Sequence, residues 1–206
     1  MSQQSSKAWY KKHVKDPFVR QANAEQKRAR SVYKLEAIQK KFGIIQSRMN
    51  VLDVGCAPGS WMQFAAQNVG PKGTVVGIDV LPIIPVSKCV FVQGDFSDPE
   101  IQTELLEHLK GKVDVVLSDL SPNMTGHPQT DQYAAAVFWE DILNFCRLHL
   151  DSEGCLVIKV FHGVAFEGFF KEMKKVFCAV KSIKPEASRQ VSKEVYLIGM
   201  KKRISG

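Results

Sequence analysis

Five short apolar runs, separated by stretches of helical spacing, constrain this chain more than any other feature. The runs cover residues 49–54, 73–79, 90–94, 113–117 and 155–160. Helical spacing fills 59–69, 99–109 and 133–150. It returns in 166–177, with apolar residues at 166, 169, 170, 173, 176 and 177. Short unbroken apolar runs suit strands buried on both faces, hence a mostly parallel sheet sandwiched between helices. Residues 179–183 and 194–200 read as two closing strands, bringing the total to seven. Only a loop separates these two, so they pair antiparallel; a parallel return needs a longer crossover.

A chain of 206 residues suits one domain of ordinary size. Hydrophobic residues at 45% and charged residues at 24% exclude disorder and coiled coil as overall descriptions. No apolar run approaches the roughly 20 residues of a membrane span. The polar, Lys-rich N-terminus lacks the apolar core of a secretory signal. Asp16, Glu25 and the lack of any Arg before Arg20 speak against a mitochondrial presequence. The five cysteines are odd in number and form no C-x-x-C, which argues against a disulfide framework or a structural zinc site. A reducing, cytoplasmic setting is the expectation.

The net charge of +7 is unevenly spread. Residues 1–48 hold 12 basic and 3 acidic side chains, a net of +9; the rest hold 16 and 18, a net of −2. A focused basic region reads as a polyanion-binding face. We therefore divide the chain into a basic leader and helix over 1–48 and a catalytic body over 49–206, within one domain. Residues 1–16 are expected to be poorly ordered or loosely helical. The second half of 17–42 suits an amphipathic helix ending near Gly43. A second basic cluster, diluted by acids, runs from Lys171 to Arg203.

A parallel sheet binds ligands at the carboxyl ends of its strands, and the unusual residues stand there. After the first strand comes Asp53-Val-Gly-Cys-Ala-Pro-Gly59-Ser-Trp61. Its glycines let the backbone turn tightly toward a ligand, and the following helix points N–H groups at it. This is not G-x-G-x-x-G, so a smaller ligand than a dinucleotide is expected. Asp79 closes the second strand, where a carboxylate can accept from ribose hydroxyls. Asp95 follows the third, placed to accept from an adenine amino group, with Phe96 or a neighbour flanking the ring. Asp119 follows the fourth. Lys159 lies inside the fifth apolar run, and a buried lysine is costly unless paired or neutral. Glu194 is its natural carboxylate partner from the neighbouring strand, and Lys34 is the basic candidate from the N-terminal helix.

The set R-S-x-Y-K34-L, D53-V-G-x-A-P-G-x-W61, D79, G-D95-F, S-D119-x-x-P-N-M-T-G126, K159-V-F and S-K-E194-V-Y resembles the FtsJ family of S-adenosylmethionine-dependent ribose 2′-O-methyltransferases. The likeness covers residues 17–200. It implies a Rossmann-like class I methyltransferase fold with helices on both faces of a seven-stranded, mostly parallel sheet and an antiparallel final strand. It implies a catalytic tetrad of Lys34, Asp119, Lys159 and Glu194. It also implies a cofactor site of Gly59, Trp61, Asp79, Asp95 and Asp119, with no metal. The implied reaction carries methyl from S-adenosylmethionine to the ribose 2′-OH of a uridine in 23S (large-subunit) ribosomal RNA, by a monomer without membrane contact. Cys56 and Ser60 depart from the smaller residues usual in the glycine loop, and His162 stands where Gln is usual.

Three alternatives stand beside this reading. The tetrad does not encode its target, so the same chemistry on tRNA or a cap is the close runner-up. A non-catalytic RNA-binding module would keep the basic leader but has no need of the tetrad. A nicotinamide oxidoreductase lacks its phosphate fingerprint and leaves Lys159 and Glu194 unexplained.

Overall fold

The computed structural model describes residues 16–121, 128–189 and 191–203. The basic stretch 1–15 and the Pro122–Gly126 part of the fourth strand-end motif lie outside them. The elements in chain order begin with α1 (Pro17–Ala24), α2 (Val32–Phe42), β1 (Asn50–Val54), α3 (Ser60–Val69), β2 (Thr74–Asp79), β3 (Val90–Gln93) and α4 (Pro99–His108). They continue with β4 (Val113–Ser118), α5 (Pro128–His149), β5 (Leu150–Phe161), α6 (Val164–Val176), β6 (Phe177–Ile183) and β7 (Glu194–Lys202). Every expected strand is present.

Local chemistry sets the helix ends. Asp16 caps α1 by accepting from the Phe18 N–H at 3.0 Å, with Pro17 in the first turn. The apolar spacing alone did not point to α1 as a separate helix, because at eight residues it rests on this cap. Asp98 and Pro99 start α4 in the same way. Gly43, at φ +61°, ends α2 in the left-handed conformation.

The seven strands lie in the order β3-β2-β1-β4-β5-β7-β6. All neighbours from β3 to β5 are parallel, while β7 runs antiparallel to both β5 and β6. The closing strands pair antiparallel as expected, but β7 passes β6 and inserts beside β5. The sheet therefore carries two cores. One face packs Leu52, Val116, Ile158 and Leu197 against α4, α5 and α6, with Trp139, Leu143, Phe145 and Phe169. The other packs Val51, Val115, Val157 and Tyr196 against α2 and α3, with Leu35, Ile38, Trp61 and Met62. The helix α2 is thus built into the body. No helix among the described residues is long and apolar enough to cross a membrane.

Candidate active site

The insertion of β7 builds the site. Its register sets Tyr196 opposite Lys159 and Glu194 opposite Phe161. Directly opposed residues share a face, and so do residues two apart. Lys159, Glu194 and Tyr196 therefore project from the same face of the sheet, the one covered by α2, which brings Lys34.

Lys159 is 7% exposed. Its ammonium lies 3.0 Å from Asp119 Oδ1 and also donates to the Asp119 carbonyl. A snorkelling lysine is excluded by this burial. Lys34 Nζ stands 2.7 Å from Glu194 Oε1 and 3.8 Å from Asp119 Oδ1. Two ammonium groups and two carboxylates thus interlock, so that each buried charge has a partner, which is the condition for burying charge at all. Burial raises the Glu194 pKa most, but Lys34 together with Ser188 and Lys159 holds the carboxyl below its usual range. One expectation changes here: the ion pair of Glu194 is with Lys34, and among the described residues Asp119 alone pairs with Lys159.

Tyr196 closes the S-K-E194-V-Y motif, yet the sequence assigns it no role. Its ring is fully buried, and its hydroxyl donates to Asp119 Oδ1. Burial first, and then the Asp119 charge, push its pKa well above the usual value, so it remains a donor. The Lys34 ammonium sits 5.5 Å from the ring centroid. The alternation in Glu194-Val-Tyr196 carries the signal that could have found it.

At the end of β1, Gly59 adopts φ +93° as the residue before α3. A Cβ there would approach Val86 Cγ2 to 2.8 Å, so the loop needs glycine for both its conformation and its room. Asp79 braces this loop, with one oxygen accepting from the Ala57 N–H and the other from the Leu81 N–H, both at 2.9 Å. Arg28 fastens the N-terminal segment to it by donating to the carbonyls of Pro58, Ile84 and Pro85. A cavity of about 730 Å³ opens between Arg28, Ala57, Pro58 and the Leu81–Ile84 segment. Asp95 is exposed, and the Ser97 backbone and hydroxyl hold its carboxyl below the usual range.

Two aromatic expectations read differently in the fold. Phe96 turns into the core against Phe145, with ring centroids 5.3 Å apart, and does not flank a ligand ring. A large apolar side chain gains more from that burial than from an open crevice. Trp61 is 2% exposed; its indole N–H donates to the Ser31 carbonyl at 2.9 Å and its ring leans on Tyr196. Ser31 and Ser60 share a hydroxyl hydrogen bond of 2.8 Å beside it. The side chain of Trp61 thus ties the start of α2 to the glycine loop.

Asp53 is 1% exposed, and its Oδ2 has no partner among the described residues. Burial first, then the charges of Asp119 and Asp79, push its pKa well above the carboxylate range. The folded protein keeps a proton that the unfolded chain releases above about pH 4, so stability falls as pH rises toward the folded pKa. Asp53→Asn removes that linkage. In thermal unfolding of the ligand-free protein, the variant's melting temperature is expected to gain on the wild type between pH 5 and pH 8. An unchanged difference would show that Asp53 is already ionised.

A sheet of this order, with a glycine turn and carboxylates at successive strand ends, defines a Rossmann-like class I methyltransferase. The chain belongs to the FtsJ-like methyltransferase family, which matches residues 27–202. It is 45% identical over 197 residues to the ribosomal RNA large subunit methyltransferase E of Azoarcus sp., covering 95% of this chain and 96% of that one. The protein of that name from Acinetobacter baylyi is 44% identical over 196 residues, covering 95% and 91%. Among solved structures, a ribosomal RNA methyltransferase from Plasmodium falciparum shares the fold at TM-score 0.75 and 24% identity, over 85% of this chain and 98% of that one. Fibrillarin from Aeropyrum pernix, solved with S-adenosyl-L-methionine, shares it at TM-score 0.57 and 15% identity, over 82% and 76%.

Proposed function

We propose that this protein transfers the methyl group of S-adenosylmethionine to the ribose 2′-OH of a uridine in 23S ribosomal RNA, acting as a monomer in the cytoplasm on the large subunit. The observation that carries the reading is the buried Lys159–Asp119 pair beside Lys34–Glu194, at the carboxyl end of the sheet. The names of the 45% and 44% identical relatives support ribosomal RNA as the target.

The residues present fit S-adenosylmethionine. The Gly59 loop offers backbone without a Cβ, and the carboxylates of Asp79, Asp95 and Asp119 suit a ribose, an adenine amino group and a positively charged methionine end. Trp61 serves through its backbone N–H, since its indole N–H is engaged by Ser31. When bound, S-adenosylmethionine supplies an electrophilic methyl carbon on a sulfonium. The chain's own part is alignment and proton handling. Lys159 steers the lone pair of the 2′-OH toward that carbon, or takes up the hydroxyl proton after its ammonium has first released one to solvent. Asp119 fixes Lys159, Tyr196 fixes Asp119, and Glu194 anchors Lys34 beside them. Alignment of this kind supplies several kcal/mol of a barrier by itself. No set of His, Cys, Asp or Glu side chains among the described residues is arranged to hold a metal ion, and the mechanism proposed requires none.

The test offers methyl-labelled S-adenosylmethionine with large ribosomal subunits, free ribosomal RNA and tRNA, followed by nucleoside analysis. Labelled 2′-O-methyluridine from subunits is the expected result. Label confined to tRNA would replace the substrate and keep the chemistry.

The leader supplies phosphate contacts, which position RNA without specifying sequence. Asp16 caps α1 and pairs with Arg30, so the informative truncation removes only residues 1–15, with Lys7, Lys11, Lys12 and Lys15. RNA affinity should fall, and the slope of log K against log salt should flatten by up to about 3. Cofactor affinity should be unchanged; a matching loss of it would make the leader part of the fold.

A further inference from the structure

Two cavities meet beside the tetrad. The first, of about 360 Å³, opens over Lys34 and Glu194, with Arg30 and Arg189 on its rim. The second, of about 420 Å³, lies between the start of α5, the end of β5 and the chain entering β7. Val191 and Ser192 line both, so the two cavities adjoin at these residues. Nothing in the methyl-transfer reading uses the second cavity.

Its chemistry is mixed in a particular way. Ala135, Trp139 and Phe161 give it apolar and aromatic walls, while Gln132, His162, Asp131 and Lys193 add polar and charged groups to the lining. Trp139 is 2% exposed, and its indole N–H has no acceptor among the described residues. A buried donor seldom stays unsatisfied. His162 is exposed but held: its backbone N–H donates to the Lys193 carbonyl at 3.1 Å, and its ring packs on Phe166 at 4.6 Å. Flat apolar surface fringed by hydrogen-bonding groups suits a nucleobase, which presents π faces and a polar edge. A phosphate would want the arginine rim of the first cavity instead.

We infer that the second cavity receives the base of the acceptor nucleotide, splayed from its neighbours, while its ribose occupies the first cavity over Lys34 and Glu194. The shared residues Val191 and Ser192 lie under the bond between sugar and base. His162 stacks on the base or meets its edge, so this pocket selects which nucleotide presents its 2′-OH. The inference rests on the ribose-methylation reading above.

The test compares wild type, His162→Ala and His162→Gln on large ribosomal subunits that lack the modification. His162→Ala is expected to lower kcat/KM by about tenfold or more, the usual scale of one lost stacking contact. S-adenosylmethionine affinity and melting temperature should not move. His162→Gln keeps a planar polar group and should recover most of the rate. Wild-type rates in His162→Ala, or a loss shared with cofactor affinity, would overturn the base pocket while leaving ribose methylation standing. A wild-type protein that methylates no subunit would overturn both.

Discussion

Lys159→Ala should abolish methyl transfer while leaving S-adenosylmethionine binding in place. Loss of a positioned proton acceptor costs about 10²–10⁴-fold in kcat, and the expected fall lies in that range. The two readouts separate because Lys159 sits on β5 among the tetrad, while the glycine loop and Asp79 belong to β1 and β2. Asp119 survives the substitution in place, since Lys34 at 3.8 Å and the Tyr196 hydroxyl still engage it. Lys159→Arg provides the control. It keeps the charge beside Asp119 but cannot take up a proton, so a low rate in both variants identifies proton transfer. Near wild-type turnover in Lys159→Ala would remove Lys159 from the mechanism. The measurement is single-turnover methylation of large subunits, with cofactor affinity read by calorimetry.

Trp61→Ala should give the largest loss of stability of any single change in the cofactor loop, about 3–5 kcal/mol. For a chain of this size that lowers the melting temperature by roughly 10 °C. The indole fills space between Tyr196 and α2 and satisfies the Ser31 carbonyl. Its removal empties the joint that holds Lys34 over the sheet. Trp61→Phe retains much of the volume but not the N–H, so its smaller penalty isolates the hydrogen bond. If Trp61→Ala melted with the wild type and lost only cofactor affinity, the side chain would be a ligand contact and not a fastener.

Most of the sheet was legible because each buried strand is a short apolar run and each helix has its own spacing. The strand ends were legible for a related reason: Gly59, Asp79 and Asp119 break apolar runs where a structural protein has little use for them. What escaped was non-local. No feature of residues 194–202 says that they lie between β5 and β6, because that choice belongs to packing across the whole sheet. The partner of Glu194 followed from the same fact, since only the register with β5 places Lys34 nearer to it than Lys159. Trp61 and Phe96 look like ligand aromatics when read beside Gly59 and Asp95, yet both gain more by burial. Arg28 reads as one basic residue among many in a charged leader, and only the fold reveals the three carbonyls that it gathers.

The place of β7 also bears on how the enzyme is made. Strands β1 to β5 could pair as they emerge during synthesis, yet the wall that holds Tyr196 and Glu194 arrives after them, with residues 194–202. Until that segment slots in beside β5, Lys159 and Asp119 have no neighbour on one flank and Lys34 has no Glu194. A partly synthesised chain would therefore lack Glu194 and Tyr196, and the buried ion-pair cluster would close only once the last strand is in place.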